Sequence, residues 1–281
     1  MELRLQDLVE KVQDLPALPT VVNQVIRLTE DPDSTAADLN AVISRDQALT
    51  AKVLRLANSA YYGFPRRVAT VTDAVVLLGF NTIRNLVLAA SVSNVLQREA
   101  PGYQLGRGDL WWHSLTSAMA ARLLARKIRF RAAEEAFVAG LLHDIGKLVL
   151  SQYVAETYAQ ILERVTRDGV PFMEAEQAIL GFDHARAGGL VAEKWNLPEG
   201  LVEAIGCHHR PAAARKAPAL AALAHTGDAL ALMLGAGLGA DGLMYPLDWD
   251  SVAAVGLTEE KVEEVLDELA DSLVDEASYL P

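Results

Sequence analysis

Apolar residues recur at three- and four-residue spacing along almost the whole chain, and that period favours helices. Val21, Val22, Val25, Ile26 and Leu28 share one helix face. Leu49, Val53 and Leu56 repeat the pattern on the way to Asn58. Further helices are expected near residues 110–127, 132–152, 154–168, 171–180, 184–195, 198–208 and 218–234. No convincing set of alternating strands and no internal repeat competes with them. Aromatic residues are only 6% of the chain, while alanine, leucine and valine dominate. That balance suits packed helices better than a β-sandwich. The expected fold class is all-α, a two-part helical bundle.

Breaks in the pattern divide the chain. DPDST (31–35) makes a turn, with Ser34 or Thr35 capping a helix through Ile43. YYGFPRR (61–67) interrupts with Gly63 and Pro65. Val71 to Leu78 is apolar and stops at Gly79, and Asn81 is expected to cap a longer helix through about Gln97. The best internal boundary is EAPGYQLGRGD (99–109), which has three glycines, a proline and no apolar period. The expected organisation is a helical module over 1–105, a second helical domain over 106–240, and an acidic helical extension over 241–281. GAGLGADG (235–242) reads as a loop; no strand precedes it, as a phosphate-binding glycine loop would need. The last helix begins at Thr258, where Glu259 and Glu260 favour its positive end.

Charge and cysteine content narrow the setting. The net charge of −12 and pI near 5.0 repel nucleic acid and anionic membrane as a whole. Either partner would need a local basic patch. RKIRFR (126–131) reads first as a solvated turn between helices. Tyr61, Tyr62, Phe64, Arg66 and Arg67 form one aromatic-basic cluster, read first as a packed loop and second as a contact for a nucleotide or an acidic partner. Cys207 is the single cysteine, which excludes an intrachain disulfide and suits a reducing compartment. The N-terminus lacks a signal-peptide apolar core, and no stretch of membrane-spanning length is free of charge. A cytoplasmic protein without membrane contact is expected.

Chemistry concentrates in LLHDIGK, residues 141–147. His143 and Asp144 are first-rank ligands for a divalent metal. Lys147 lies one helical turn beyond His143, on the same face if the segment is helical. Metal ligands beside an ammonium are equipment for holding phosphate. All six histidines fall between 113 and 225. In chain order the polar candidates are His113, the pair His143–Asp144, His184, the pair His208–His209, and Asp228. Each has a bland alternative taken singly. His113 beside Trp112 reads as a core histidine, His184 as a helix-start residue, the HH pair before Pro211 as an exposed end, and Asp228 as a partner for His225. Asp183 and His225 are candidates for orienting a ligating imidazole from behind. No G-x-S-x-G elbow is present.

Taken together, that order resembles the HD superfamily of metal-dependent phosphohydrolases, especially its HD-GYP branch. The matching positions are His113, His143, Asp144, His184, His208, His209 and Asp228. The resemblance implies a two-metal centre in which Asp144 bridges the ions, the histidines complete their shells, and Lys147 faces substrate phosphate. The chain departs from that branch after the HH pair, where HHRPAAARKAPAL carries no GYP tripeptide. The departure counts against cyclic-dinucleotide hydrolysis.

The first hundred residues resemble the HDOD family. LPALPTVVNQVIRL, LNAVISRDQALTAKVLRLANSAYYGF and VTDAVVLLGFNTIRNLVL carry the likeness. Asp46, Leu49, Thr50 and the LANSA stretch (56–60) match its pattern directly. The likeness covers roughly residues 12–230. It implies a bacterial regulatory module working through a signalling protein partner. The retained ligand set implies one or two divalent transition metals (iron, manganese, zinc or nickel). A nitrogen-rich shell suits these, or cobalt, better than magnesium or calcium. Two other readings stay open: a phosphohydrolase acting on a nucleotide or cyclic dinucleotide, with Asp144 and Lys147 as its catalytic pair, and a degenerate pocket that binds a nucleotide or other phosphoester without cleaving it.

Overall fold

The computed structural model describes residues 17–59, 62, 64, 66–240 and 247–276. Among these residues it contains fourteen α-helices and no strand. Tyr61, Gly63 and Pro65 of the aromatic-basic segment lie outside the described residues. The chain separates into two compact units, one built chiefly of Leu18–Val95 and the other of Leu96–Leu266.

The first unit holds α1 (Thr20–Glu30), α2 (Ala36–Ile43), α3 (Gln47–Ala57), α4 (Val71–Leu78) and α5 (Phe80–Leu96). Its helix starts follow local chemistry. Thr35 and Asp38 form a reciprocal capping box at α2, and Asp46 caps α3 by accepting from the Leu49 backbone N–H at 3.0 Å. Thr70 and Asp73 cap α4. Asn58 ends α3 by bracketing the following corner. Its amide donates to the carbonyls of Leu54 (2.7 Å) and Val68 (2.9 Å), and its oxygen accepts from the Val68 N–H at 2.7 Å. Val22, Val25, Leu39, Ile43, Val53 and Ile83 are fully buried, the core that the helical period predicts. α5 begins at Phe80, one residue before the expected cap, so Asn81 lies within the helix. Gly79, at φ +80°, supplies the tight reversal that lets α5 start almost at once after α4.

The second unit holds α6 (Asp109–Lys127), α7 (Ala133–Leu142), α8 (Gly146–Asp168), α9 (Phe172–Leu180), α10 (His184–Lys194), α11 (Glu199–Gly206), α12 (Pro218–Met233), α13 (Trp249–Ala254) and the start of α14 (Glu259–Glu276). Short 3₁₀ turns lie at Pro101–Tyr103 and Pro211–Ala213. α6 is the central element, buried from Leu110 to Ala125 on most positions, with α7 and α12 packed along it. A Cβ on Gly227 of α12 would lie 2.7 Å from the Ser117 carbonyl oxygen of α6. Only glycine allows α12 to come so near.

The expected helix over 132–152 is divided. α7 ends at Leu142, residues 143–145 form a turn, and α8 then runs unbroken from Gly146 to Asp168. The cause is tertiary. A Cβ at Gly146 would meet the His184 carbonyl oxygen at 2.0 Å and the Gly188 nitrogen at 2.5 Å. The start of α8 is therefore seated directly on the start of α10, an approach that a single straight helix from 132 to 152 could not make.

Candidate metal centre

Each candidate ligand sits at a place its element makes rigid. His113 lies within α6 and Asp228 within α12. His143 and Asp144 occupy the turn between α7 and α8. His184 is the first residue of α10, whose cap is Asp183. His208 and His209 follow the end of α11. The structure brings all seven side chains into one buried cluster around Asp144.

Asp144 divides the cluster in two. Its Oδ2 faces His143 Nε2 at 3.2 Å and His113 Nε2 at 3.4 Å. Asp228 Oδ1 closes this half, 3.0 Å from His113 Nε2 and 3.6 Å from His143 Nε2. The other oxygen, Oδ1, faces His184 Nε2 at 3.4 Å and His208 Nε2 at 3.9 Å. His209 Nε2 lies 2.6 Å from His184 Nε2. In each of three sets, donor atoms lie within 4.8 Å of one another: His113, His143 and Asp228; His143, Asp144 and His208; His184, His208 and His209.

The ring orientations are fixed from behind. His113 Nδ1 donates to the Ala236 carbonyl (3.0 Å), His143 Nδ1 to the Gly140 carbonyl (2.7 Å), and His208 Nδ1 to the Ile205 carbonyl (2.8 Å). A carbonyl oxygen only accepts, so these bonds set the tautomer and leave the Nε2 lone pairs turned inward. Lys147 donates from Nζ to Asp144 Oδ2 at 2.6 Å.

The donor set fits divalent cations. Asp144, Asp228 and Glu176 are buried acids, and Lys147 is the one buried ammonium beside them. The excess negative charge in a dry pocket needs compensation. Imidazole lone pairs aimed at one another and at carboxylate oxygens need the same thing. Without a metal ion, protons must supply it. Burial opposes charge on His143, but Asp144 and Asp228 outweigh that and hold it up to about 10. Burial likewise opposes charge on His184, and Glu176 and Asp144 carry it up to about 9. Burial, with the neighbouring His143, pushes His208 down to about 3. Burial and His208 push His209 well below its usual range. Burial raises Asp144 and Asp228, but the neighbouring imidazoles, with Lys147 at Asp144, hold both well below the usual carboxylate range.

The two expected orienting residues do something else. Asp183 caps α10 and pairs with Arg210 at 3.1 Å. His225 bridges two backbone groups: its Nδ1 donates to the His208 carbonyl at 2.8 Å, and its Nε2 accepts from the Asp248 N–H at 2.8 Å. The carboxylate that orients an imidazole is Glu176, 2.7 Å from His184 Nδ1, and Tyr103 donates its hydroxyl to the far oxygen of Glu176. Neither residue stands out by type. The available signal was position, since Glu176 lies one turn from both Phe172 and Leu180, on the apolar face of α9. Of the basic stretch 126–131, Arg126 faces Glu134 at 3.6 Å and Lys127 faces Glu264 at 2.7 Å. Cys207 is a half-buried free thiol.

The sequence and the helical fold have counterparts among known proteins. Residues 15–211 match the HDOD domain, and the chain belongs to the HDOD family. An HDOD domain protein of unknown function from Geobacter sulfurreducens shares 26% identity over 96% of both chains, with a TM-score of 0.75. A candidate phosphohydrolase from Shewanella amazonensis SB2B is 29% identical, covering 96% of this chain and 93% of its own, with a TM-score of 0.68. A candidate signal transduction protein from Marinobacter aquaeolei VT8 is 28% identical, covering 99% of this chain and 61% of its own, with a TM-score of 0.73. An uncharacterized protein of Treponema pallidum is 29% identical over 201 residues, and the match spans 71% of this chain but only 38% of that relative's length. No helix among the described residues is long and apolar enough to cross a membrane.

Proposed function

We propose that this chain is a cytoplasmic bacterial signalling protein whose second unit holds two divalent transition-metal ions and hydrolyses a phosphoester, with a nucleotide as the substrate class. The carrying observation is Asp144, whose two oxygens face two separate sets of imidazoles. His113, His143 and Asp228 would hold one ion and His184, His208 and His209 the other, with Asp144 shared. Iron, manganese, zinc or nickel suits such nitrogen-rich shells. Ions held there would supply an acidified water and would offset charge on phosphoryl oxygens.

The chain's own residues supply the rest. Carbonyls of Gly140, Ile205 and Ala236 keep the imidazoles aimed inward. Burial of His143, Asp144 and His208 excludes bulk water and strengthens every charge interaction in the pocket. Lys147 carries a buried ammonium beside Asp144, a point charge suited to an anionic phosphate.

Metal analysis of the full chain after reconstitution with iron or manganese tests the reading, together with a phosphoester screen. Two ions per chain and turnover, both lost in Asp144→Asn, are the expected result. A protein that takes up no metal overturns the proposal. Metal uptake without turnover would leave a nucleotide-binding pocket that does not cleave.

A second reading, a module that transmits its signal through protein contacts, draws on the first unit. Val76 and Leu77 of α4 are 75% and 55% exposed, an unusual placement for adjacent aliphatic side chains. The candidate signal transduction protein from Marinobacter is longer than the matched region, as expected of a module joined to others.

A further inference from the structure

The two halves of the cluster are not built alike. His113, His143 and His208 turn Nδ1 to neutral backbone carbonyls, whereas His184 turns its Nδ1 to the carboxylate of Glu176. Glu176 is fully buried. It accepts from His184 Nδ1 at 2.7 Å, from the His184 backbone N–H at 3.3 Å, and from the Tyr103 hydroxyl. Both of its oxygens are thus engaged, one by His184 and the other by Tyr103.

Tyr103 is itself seated firmly. The Pro101–Tyr103 turn docks on α8, where the Gly102 N–H donates to Ser151 Oγ at 3.2 Å. The Tyr103 carbonyl accepts from the Ala240 N–H at 2.9 Å. Lys147 Nζ lies 5.7 Å from the centre of the Tyr103 ring, so one side chain contacts both the ammonium beside Asp144 and the carboxylate behind His184.

We propose that Glu176, held by Tyr103, is a positioning residue that makes the His184–His208–His209 half the tighter of two unequal metal sites. A carboxylate behind an imidazole fixes its tautomer and draws the Nδ1 proton, which makes Nε2 a stronger donor than a backbone carbonyl does. The inference rests on the two-ion reading above and assigns its order of filling: the half containing His184 loads first.

Stepwise titration of the full chain with cobalt(II) tests it, read by calorimetry and by the visible absorption of the bound ion. The wild type is expected to show two steps. Glu176→Gln, close in shape, should weaken the tighter step about 10–100-fold and leave the weaker one unchanged. Tyr103→Phe should move the same step by less. In a His113→Asn background the remaining step should be the one that Glu176→Gln weakens. Equal weakening of both steps, or no change in either, overturns the inference while leaving the two-ion site in place. A wild type that binds no cobalt, or one ion only, overturns both. Tyr103→Phe removes a single hydroxyl and keeps the question answerable if Glu176→Gln does not fold.

Discussion

Gly146→Ala should damage the His184 side of the metal cluster more than the other. The added Cβ would lie 2.0 Å from the His184 carbonyl oxygen and 2.5 Å from the Gly188 nitrogen. Both are backbone atoms, so no side-chain rotation relieves the clash. Restoring an ordinary 3.4 Å contact means separating α8 from α10 by about 1.4 Å. Overpacking of this kind costs about 1–3 kcal/mol, and a backbone clash belongs at the upper end. For a domain of this size, about 3 kcal/mol lowers Tm by about 6–12 °C. The same movement carries His184 away from Asp144 Oδ1, now 3.4 Å distant. Thermal denaturation of the full chain, followed by metal titration below the transition, reads both effects. The site containing His184 should weaken more than that of His113, His143 and Asp228, because His113 and Asp228 stand on α6 and α12, whereas His143 and Asp144 lie in the turn that leads into Gly146. Gly188→Ala is the milder comparison: its new Cβ would meet Ile205 Cγ2 at 3.1 Å and the His143 carbonyl oxygen at 3.3 Å, close contacts rather than overlaps, and should cost about 1 kcal/mol. A Gly146→Ala protein with unchanged Tm and unchanged metal uptake would refute the argument.

Metal binding should release protons. Without metal, His143 is held up to about 10 and His184 up to about 9, so both are charged at neutral pH, and ligation needs them neutral. Affinity should therefore rise with pH from about 6 to 8, approaching tenfold per unit for each proton displaced, and flatten above about 10. Calorimetry in buffers of different ionisation enthalpy counts the protons, and none released would contradict the assignment. Asn58→Ala should destabilise the first unit by about 2–3 kcal/mol, since it strips partners from both backbone groups of buried Val68. Urea unfolding measures this, and a loss below about 0.5 kcal/mol would show the bracket to be dispensable.

The helical class was legible because period and composition agreed. The helix start at Thr35 was legible because a short side chain meets its own backbone there, a local interaction; the same chemistry at Asp46 and Thr70 was not singled out. The break at 143–145 was not, since LLHDIGKLVL continues an apolar run and its interruption comes from α10, forty residues on. The candidate ligands stood out through residue type and order along the chain. Glu176 escaped notice for the opposite reason: glutamates on helices are common at surfaces, and only its place on the apolar face of α9 marks it. His225 shows the limit of spacing alone. Spacing put it beside Asp228, yet its ring spans from the His208 carbonyl to the Asp248 N–H.

Three imidazoles take their aim from main-chain oxygens, and two of those oxygens, from Gly140 and Ile205, lie three residues before the ring they steer. Every amino acid carries such an oxygen. For ring alignment, replacing Ile205 or Ala236 with another residue of similar bulk changes nothing. The aim of these three rings should thus survive substitution of the residues that lend the oxygens, as long as the main chain there keeps its course.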